Sequence, residues 1–293
     1  ADALNEAQQN GPSGIRVYSA DMHNRSNARS NLRDEASEAL ESGQIVPWFQ
    51  PQISTDTGKV TGFEALARWM HPVRGLVPPS KFLPVLRDAG LMERLSQVML
   101  YHSLTALNAW DAAGFKVPSV GVNFATQELR NPNLSENIKW ELERFNLPPE
   151  RLSVEILETV MTDQPDDVVT RNITALSDLG CHIELDDFGT GFSSLSYLWK
   201  YGFDRLKIDR SFVAALEHNP ERSREVIETV VLLGARLGMK VTAEGVETEA
   251  QSNLLAELGC DTLQGYLFGE AEHLNQLQTT IHPGAGQHNS SRG

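Results

Sequence analysis

The sequence predicts a (βα)8-type barrel whose first strand runs against the others. Three observations carry that expectation. After Trp69 the chain alternates helical and strand-like stretches to about Phe268, which is the rhythm of strands closed by crossover helices. Before that, two strand-like runs are separated only by Thr55-Asp56-Thr57-Gly58-Lys59. That segment is too short for a crossover helix, so the pair must be antiparallel. Finally, almost every strand ends in a charged or amide residue, as expected where an active site is assembled at the C-terminal ends of barrel strands.

Taken in order, a helix is expected from Asn31 to Ser42, with Leu32, Ala36 and Leu40 at helical spacing and Gly43 at its end. Strands follow at Pro47 to Ile53 and Val60 to Trp69. A helix from about Ser96 to Ala113 precedes the strand Val120 to Phe124. Another, Asn133 to Phe145, precedes Leu152 to Leu157. Helices ending at Leu179, Leu237 and Leu258 are each followed by Gly, which suits the left-handed position after a helix. They lead into strands at His182 to Phe188, Lys240 to Ala243 and Thr262 to Phe268. A short helix after Ser194 leads into the strand Arg205 to Asp209. That makes eight strands.

Composition narrows the function. The 293 residues carry a formal net charge of -14, whereas a groove that tracks polymeric nucleic acid carries a basic surplus. Polymeric nucleic acid is therefore not an expected partner. No apolar run is long enough for a membrane span. Cys181 and Cys260 each follow Leu-Gly and precede a strand pattern, so they read as small core residues.

The strand ends, read in order, are Glu64, Asn123, Glu155, Asp186 with Asp187, Lys207 with Asp209, Glu244 with Glu247, and Gln264. A single buried carboxylate has an ordinary explanation as a structural ion pair. Convergence from this many strands points to a functional site. Carboxylates with one amide are hard ligands that favour Mg2+ or Mn2+ over zinc. So many acids around one pocket suggest two ions per site, an arrangement suited to phosphodiester hydrolysis. Period two also turns Glu184 into the barrel beside Asp186, where it needs a partner: Lys207, a water or a proton.

These residues resemble the EAL domain, the cyclic di-GMP phosphodiesterase. The resemblance rests on Glu64-Ala65-Leu66-Ala67-Arg68-Trp69, Gln50-Pro51, Asn123, Glu155 with Glu158, Asp186-Asp187-Phe188-Gly189-Thr190-Gly191, Leu206-Lys207-Ile208-Asp209, Ala243-Glu244-Gly245-Val246-Glu247 and Gln264-Gly265-Tyr266. It implies a modified TIM barrel and hydrolysis of cyclic di-GMP to linear pGpG. By the same resemblance Glu64, Asn123, Glu155 and Asp186 are metal ligands, Asp186 bridges two ions, and Asp187 and Glu244 serve the second. Glu244 is also the general base, and Lys207 helps to hold the attacking water. Gln50, Arg68 and Gln264 contact substrate. Glu158 anchors the loop after Asp187, which in the family couples a dimer interface to the metals. Asp209 and Glu247 stand behind the ligands. Arg87 departs from the family, many of whose members carry Glu there; no expected ligand is missing.

The expected organisation is a linker or a remnant of a preceding GGDEF-like domain at residues 1–30, an EAL phosphodiesterase domain at 31–283 and a disordered tail at 284–293. The resemblance further implies a homodimer through the EAL domain, an upstream GGDEF or sensor domain in the parent protein and a cytoplasmic location, compatible with a membrane-anchored parent. The competing reading is a receptor that binds cyclic di-GMP without turnover.

Overall fold

The structure is a computed structural model that describes residues 32–160, 167–191, 198 and 201–274. The expected remnant at 1–30 and the tail at 284–293 lie outside the described residues, and of the short helix expected after Ser194 only Leu198 and Tyr201 are described, both helical. The described residues divide into two compact units, one formed by 32–46 with Arg68–Leu95 and one formed by Pro47–Ala67 with the described residues from Ser96 on.

The second unit contains the barrel. Its strands are β1 (Ile45–Ser54) and β2 (Val60–His71), which extend into the first unit, then β4 (Val120–Phe124), β5 (Leu152–Leu157), β6 (His182–Phe188), β7 (Arg205–Ile208), β8 (Lys240–Ala243) and β9 (Thr262–Gln264). Their order is β1-β9-β8-β7-β6-β5-β4-β2, and pairing of β1 with β2 closes the ring. Neighbours from β2 through β4 to β9 are parallel. The first strand is antiparallel to β9, with Gln52 opposite Gln264. The antiparallel first strand is thus as expected from the short Thr55–Lys59 connection. The ninth is shorter than expected, ending at Gln264 rather than Phe268, because Gly265 lies against the Val246 backbone and Leu267 donates to Val246 O in a turn.

Helix ends behave as the Leu-Gly pattern predicts. After the helix Pro220–Leu237, Gly238 takes φ 75°, and the next N–H, from Met239, donates back to Gly234 O at 2.9 Å. Two aspartates pin the entry ends of strands. Asp204 accepts from Ile183 N at 2.7 Å and Asp261 from Val241 N at 2.8 Å. Outside the ring, Phe49 and Phe63 pack on Trp110 with centroids 5.1 Å away in each case. These buried rings, with Leu104, Leu107, Ile138 and Leu142, hold the helices Met92–Ala112 and Leu134–Phe145 on the sheet.

The first unit contains elements that hydrophobic periodicity did not suggest. A helix at residues 32–41 is as expected. The strand β3 (Gly75–Val77), antiparallel to β2, and the helix Pro79–Asp88 were not. Val77-Pro78-Pro79 looks like a breaker, yet Pro79 sits in the first turn, where a missing N–H costs nothing. Trp69 anchors this unit: fully buried, it donates to Gln44 at 3.1 Å and meets Phe82 edge-on.

Candidate active site

Four strands of the second unit deliver carboxylates to one buried ammonium. Lys207 on β7 is fully buried. Its Nζ lies 3.2 Å from Glu64 Oε2, 2.9 Å from Glu155 Oε2, 3.2 Å from Asp186 Oδ1 and 2.8 Å from Glu244 Oε1. Asn123 joins them, donating from Nδ2 to Glu64 Oε1 at 3.0 Å and to Glu155 Oε2 at 3.2 Å. The sheet register explains the convergence, since Asn123 stands opposite Glu155. Gly121 makes room: a Cβ there would lie 1.9 Å from Glu155 Oε1.

One cation among four acids leaves an excess of negative charge, and the carboxylates respond unequally. Burial would raise Glu64, but Lys207 and hydrogen bonds from Gln264 and Asn123 outweigh it and leave it below the usual carboxylate range. Burial and the neighbouring Glu64 charge push Glu155 well up. Asp186 is likewise raised, by burial against the opposing pull of Lys207. Burial takes Glu244 to about 8. For Lys207 itself, burial lowers the pKa, but the surrounding acids prevail and hold it well above its ordinary value. With no other cation present, Glu64 is the carboxylate best placed to keep its charge.

Adjacent aspartates on a regular strand point to opposite faces. Here they do not. The register between β6 and β7 slips between Leu185 and Phe188, and Asp187 takes φ 54°, unusual for a residue other than glycine. The resulting twist brings oxygens of Asp186, Asp187 and Glu244 within 4.8 Å of one another, while Glu64, Glu155 and Asp186 form a second such group. Asp186 belongs to both. Asp187 is half-buried and raised to about 6 by burial, by Asp186 and by Asp209.

The donor set fits hard divalent cations. The two groups offer only carboxylate oxygens, with the Asn123 amide beside them. Glu244 Oε1 is buried without a sound hydrogen bond, despite its 2.8 Å ion-pair distance from Lys207. A buried acid oxygen left that way has coordination to spare.

A family model for the EAL domain matches residues 33–271. The chain belongs to the EAL family. It is 34% identical over 280 residues to the bifunctional diguanylate cyclase/cyclic di-GMP phosphodiesterase MucR of Pseudomonas aeruginosa, covering 95% of this chain and 40% of that protein. It is 37% identical over 229 residues to the cyclic di-GMP phosphodiesterase RocR of the same organism, covering 78% of this chain and 58% of that one. The chain therefore spans only part of these relatives. The solved structure of the PaMucR phosphodiesterase in complex with c-di-GMP superposes with a TM-score of 0.80 at 35% identity, over 84% of this chain and 99% of that one.

Within this EAL domain the remaining expected site residues differ in what they touch. Gln50 and Gln264 are buried and bonded to each other at 3.2 Å, and Gln264 also donates to Glu64 at 2.6 Å. Gln50 donates to Gly269 O. In this conformation both support Glu64 rather than present a free amide. Glu158 Oε2 accepts from Gly189 N at 2.8 Å and Gly191 N at 3.0 Å, two N–H groups that follow Asp187. Asp209 helps to raise the pKa of Asp187 and caps the following helix by accepting from Ser211 N at 3.1 Å. Glu247 is exposed and joins neither carboxylate group. Arg68 lies in the other compact unit.

Two buried residues behind the site were misjudged or missed. Glu184 is inward and buried, as expected, but its partner is Arg205, at 3.1 Å, rather than Lys207. Register explains this: Arg205 is directly opposite Glu184 on β7, while Lys207 sits one step higher. Gln52, which donates to Gln264 Oε1 at 3.0 Å, was not foreseen. Its signal was present, since it lies two residues after Gln50 on the same strand face.

Proposed function

We propose that this chain is a metal-dependent phosphodiesterase that opens cyclic di-GMP to linear pGpG. The observation that carries this reading is the pair of three-carboxylate groups sharing Asp186 beside the buried Lys207. When bound, two Mg2+ or Mn2+ ions would lower the pKa of water and neutralise charge on the phosphate in flight. Glu64, Asn123, Glu155 and Asp186 would hold one ion, and Asp186, Asp187 and Glu244 the other.

The chain's own residues supply the rest. Lys207 keeps four acids together and orients the attacking water from below. Glu244 is the general base. In the absence of another cation, burial raises its pKa to about 8. Water's oxygen joins phosphorus, one P–O ester bond breaks, and a proton ends on the leaving oxygen. Arg68 would fork onto a phosphate. Gln50 and Gln264 would contact the nucleotide after exchanging one of their present bonds.

The test is incubation with cyclic di-GMP and Mg2+, then chromatography. Appearance of pGpG, its arrest by EDTA and its recovery with Mg2+ or Mn2+ are expected. Tight binding with no product would instead make the domain a receptor. A homodimer through this domain, an upstream GGDEF or sensor domain, and a cytoplasmic setting belong to the same proposal. No described helix is long and apolar enough to cross a membrane.

A further inference from the structure

TIM-type barrels are ordinarily filled below the active site by Val, Ile and Leu in layers. This barrel is not. The inward positions beneath the acidic ring include Gly121, Ser153, Glu184 and Arg205, with Thr242 beside Lys207 in register, and Ser153, Glu184 and Thr242 are buried. Glu155, Glu184 and Arg205 stand in register on three consecutive strands. Each of four consecutive strands, β5 to β8, leaves one buried polar atom without a hydrogen bond: Glu155 Oε1, Glu184 Oε2, Arg205 Nε and Thr242 Oγ1. Glu155 and Glu184 are 1% exposed and Thr242 is fully buried. Glu155 Oε1 is the oxygen turned toward Gly121, whereas Lys207 and Asn123 bond Oε2.

The chemistry of this set selects its occupant. A cation does not suit Arg205 Nε, and an anion does not suit two carboxylate oxygens. Water both donates and accepts, and a buried water takes two to four such partners. An unmade bond at a buried carboxylate or guanidinium is costly, so four on consecutive strands argue for a built hydration site. We propose that one or more ordered waters fill the barrel floor, bonded to Glu155 Oε1, Glu184 Oε2, Arg205 Nε and Thr242 Oγ1, and that through them the Glu184–Arg205 pair positions Glu155 for the metal. The first half rests on the unpaired atoms alone. The second rests on Glu155 being a metal ligand. Glu184 and Arg205 are then positioning residues, because neither reaches the ring above except through Glu155. Groups that orient a ligand from behind commonly change metal affinity ~10–100-fold.

Two measurements on the full chain test this. Crystals of the parent, with and without Mn2+, are expected to show density within hydrogen-bonding distance of at least two of the four atoms. A dry floor, or direct pairing among those atoms, overturns the hydration site. The double variant E184M/R205M replaces both charges with flexible apolar chains, a swap that buried ion pairs often tolerate. It is expected to keep its metal-free melting temperature, to leave KM near the parent's and to bind Mn2+ ~10–100-fold more weakly by calorimetry. A folded double variant with parental Mn2+ affinity overturns the positioning role. If the double variant does not fold, Thr242→Val decides: it keeps shape, removes one water partner and should weaken Mn2+ several-fold, and unchanged affinity overturns the role. Failure of the parent itself to bind Mn2+ would sink the ligand reading of Glu155 and the positioning role together, with the hydration site still judged by the density.

Discussion

Two cations sit two residues apart on one strand and live in opposite conditions. Lys207 is fully buried and faces four carboxylates. Arg205 faces one, Glu184, and its side chain is 19% exposed. The lower pair balances one charge with one charge. The upper ring cannot balance itself, and its acids divide accordingly: Glu64 is held low, while Glu155, Asp186 and Glu244 are raised. A folding core has no reason to collect acids that must hold protons to be tolerated. The imbalance is the property that a divalent cation would relieve, and it is why the proposed chemistry is assigned to the ring and not to the floor.

The contrast breaks most sharply at Glu244. Glu244→Gln keeps the shape and removes the charge and the basicity. Turnover of cyclic di-GMP should fall ~10²–10⁴-fold from loss of a general base alone, with further loss if a metal is displaced. Binding should persist, because a group needed mainly in the transition state affects turnover more than affinity. Turnover and equilibrium binding on one preparation check it. Near-normal turnover removes Glu244 from the mechanism, and parallel loss of binding makes it an assembler of the site.

Lys207→Met asks what the ring does without the one ammonium it holds among the described residues. The metal-free variant leaves its acids uncompensated, and breaking a buried pair commonly costs ~3–5 kcal/mol. Denaturant unfolding without metal should show a loss of that order near pH 8, and a smaller one near pH 5, where raised acids hold protons. Equal stability to the parent at both pH values would mean that Lys207 is not the keystone of the ring.

Acidity sharpens the comparison further. Glu244 goes from an ordinary 4.5 to about 8 and Asp187 from 3.8 to about 6 in the folded protein. Between those limits the folded state binds more protons than the unfolded one, so stability is full below the ordinary value and is lost as pH rises through the folded one. The metal-free protein should therefore melt progressively lower from about pH 5 to pH 8. Mg2+ should flatten that trend and release protons on binding. A metal-free melting temperature that rises over this range would contradict the assignment.

Much of this was legible in the chain, and the exceptions share a cause. The barrel showed because helix stops at Leu-Gly and the short Thr55–Lys59 connection are local signals. The ring showed because parallel strands end in acids one after another. What did not show depends on register. Nothing in Leu185-Asp186-Asp187-Phe188 announces the slip that turns both aspartates toward Glu244, and period two alone sends them apart. Glu184 was placed inward correctly, but which cation it meets depends on how β6 and β7 align across 21 residues. The helix at Pro79–Asp88 opens on prolines, which fit its first turn but give no periodic apolar signal.

The smallest expected effect tests whether the slip in β6 holds itself. Glu158 touches no ring carboxylate in the bonds described, yet one of its oxygens accepts from both Gly189 N and Gly191 N. Gly191 packs so closely that a Cβ there would lie 3.1 Å from Glu158 Cδ. The backbone that Glu158 clamps begins two residues after Asp187, whose left-handed conformation is of a kind that persists only when its surroundings impose it. Glu158→Ala should free those two N–H groups and let Asp187 relax toward an ordinary strand conformation. The ring of Glu64, Asn123, Glu155 and Lys207 is fixed by sheet register instead and should stay. Turnover is therefore expected to fall about tenfold, in line with the ~1–3 kcal/mol cost of hydrogen-bonding groups left without a partner. Calorimetry should show a weakened second Mn2+ and an unchanged first. Wild-type turnover in the variant would show that the slip is held by the strand itself, and equal weakening of both ions would show that the two groups sharing Asp186 do not act separately.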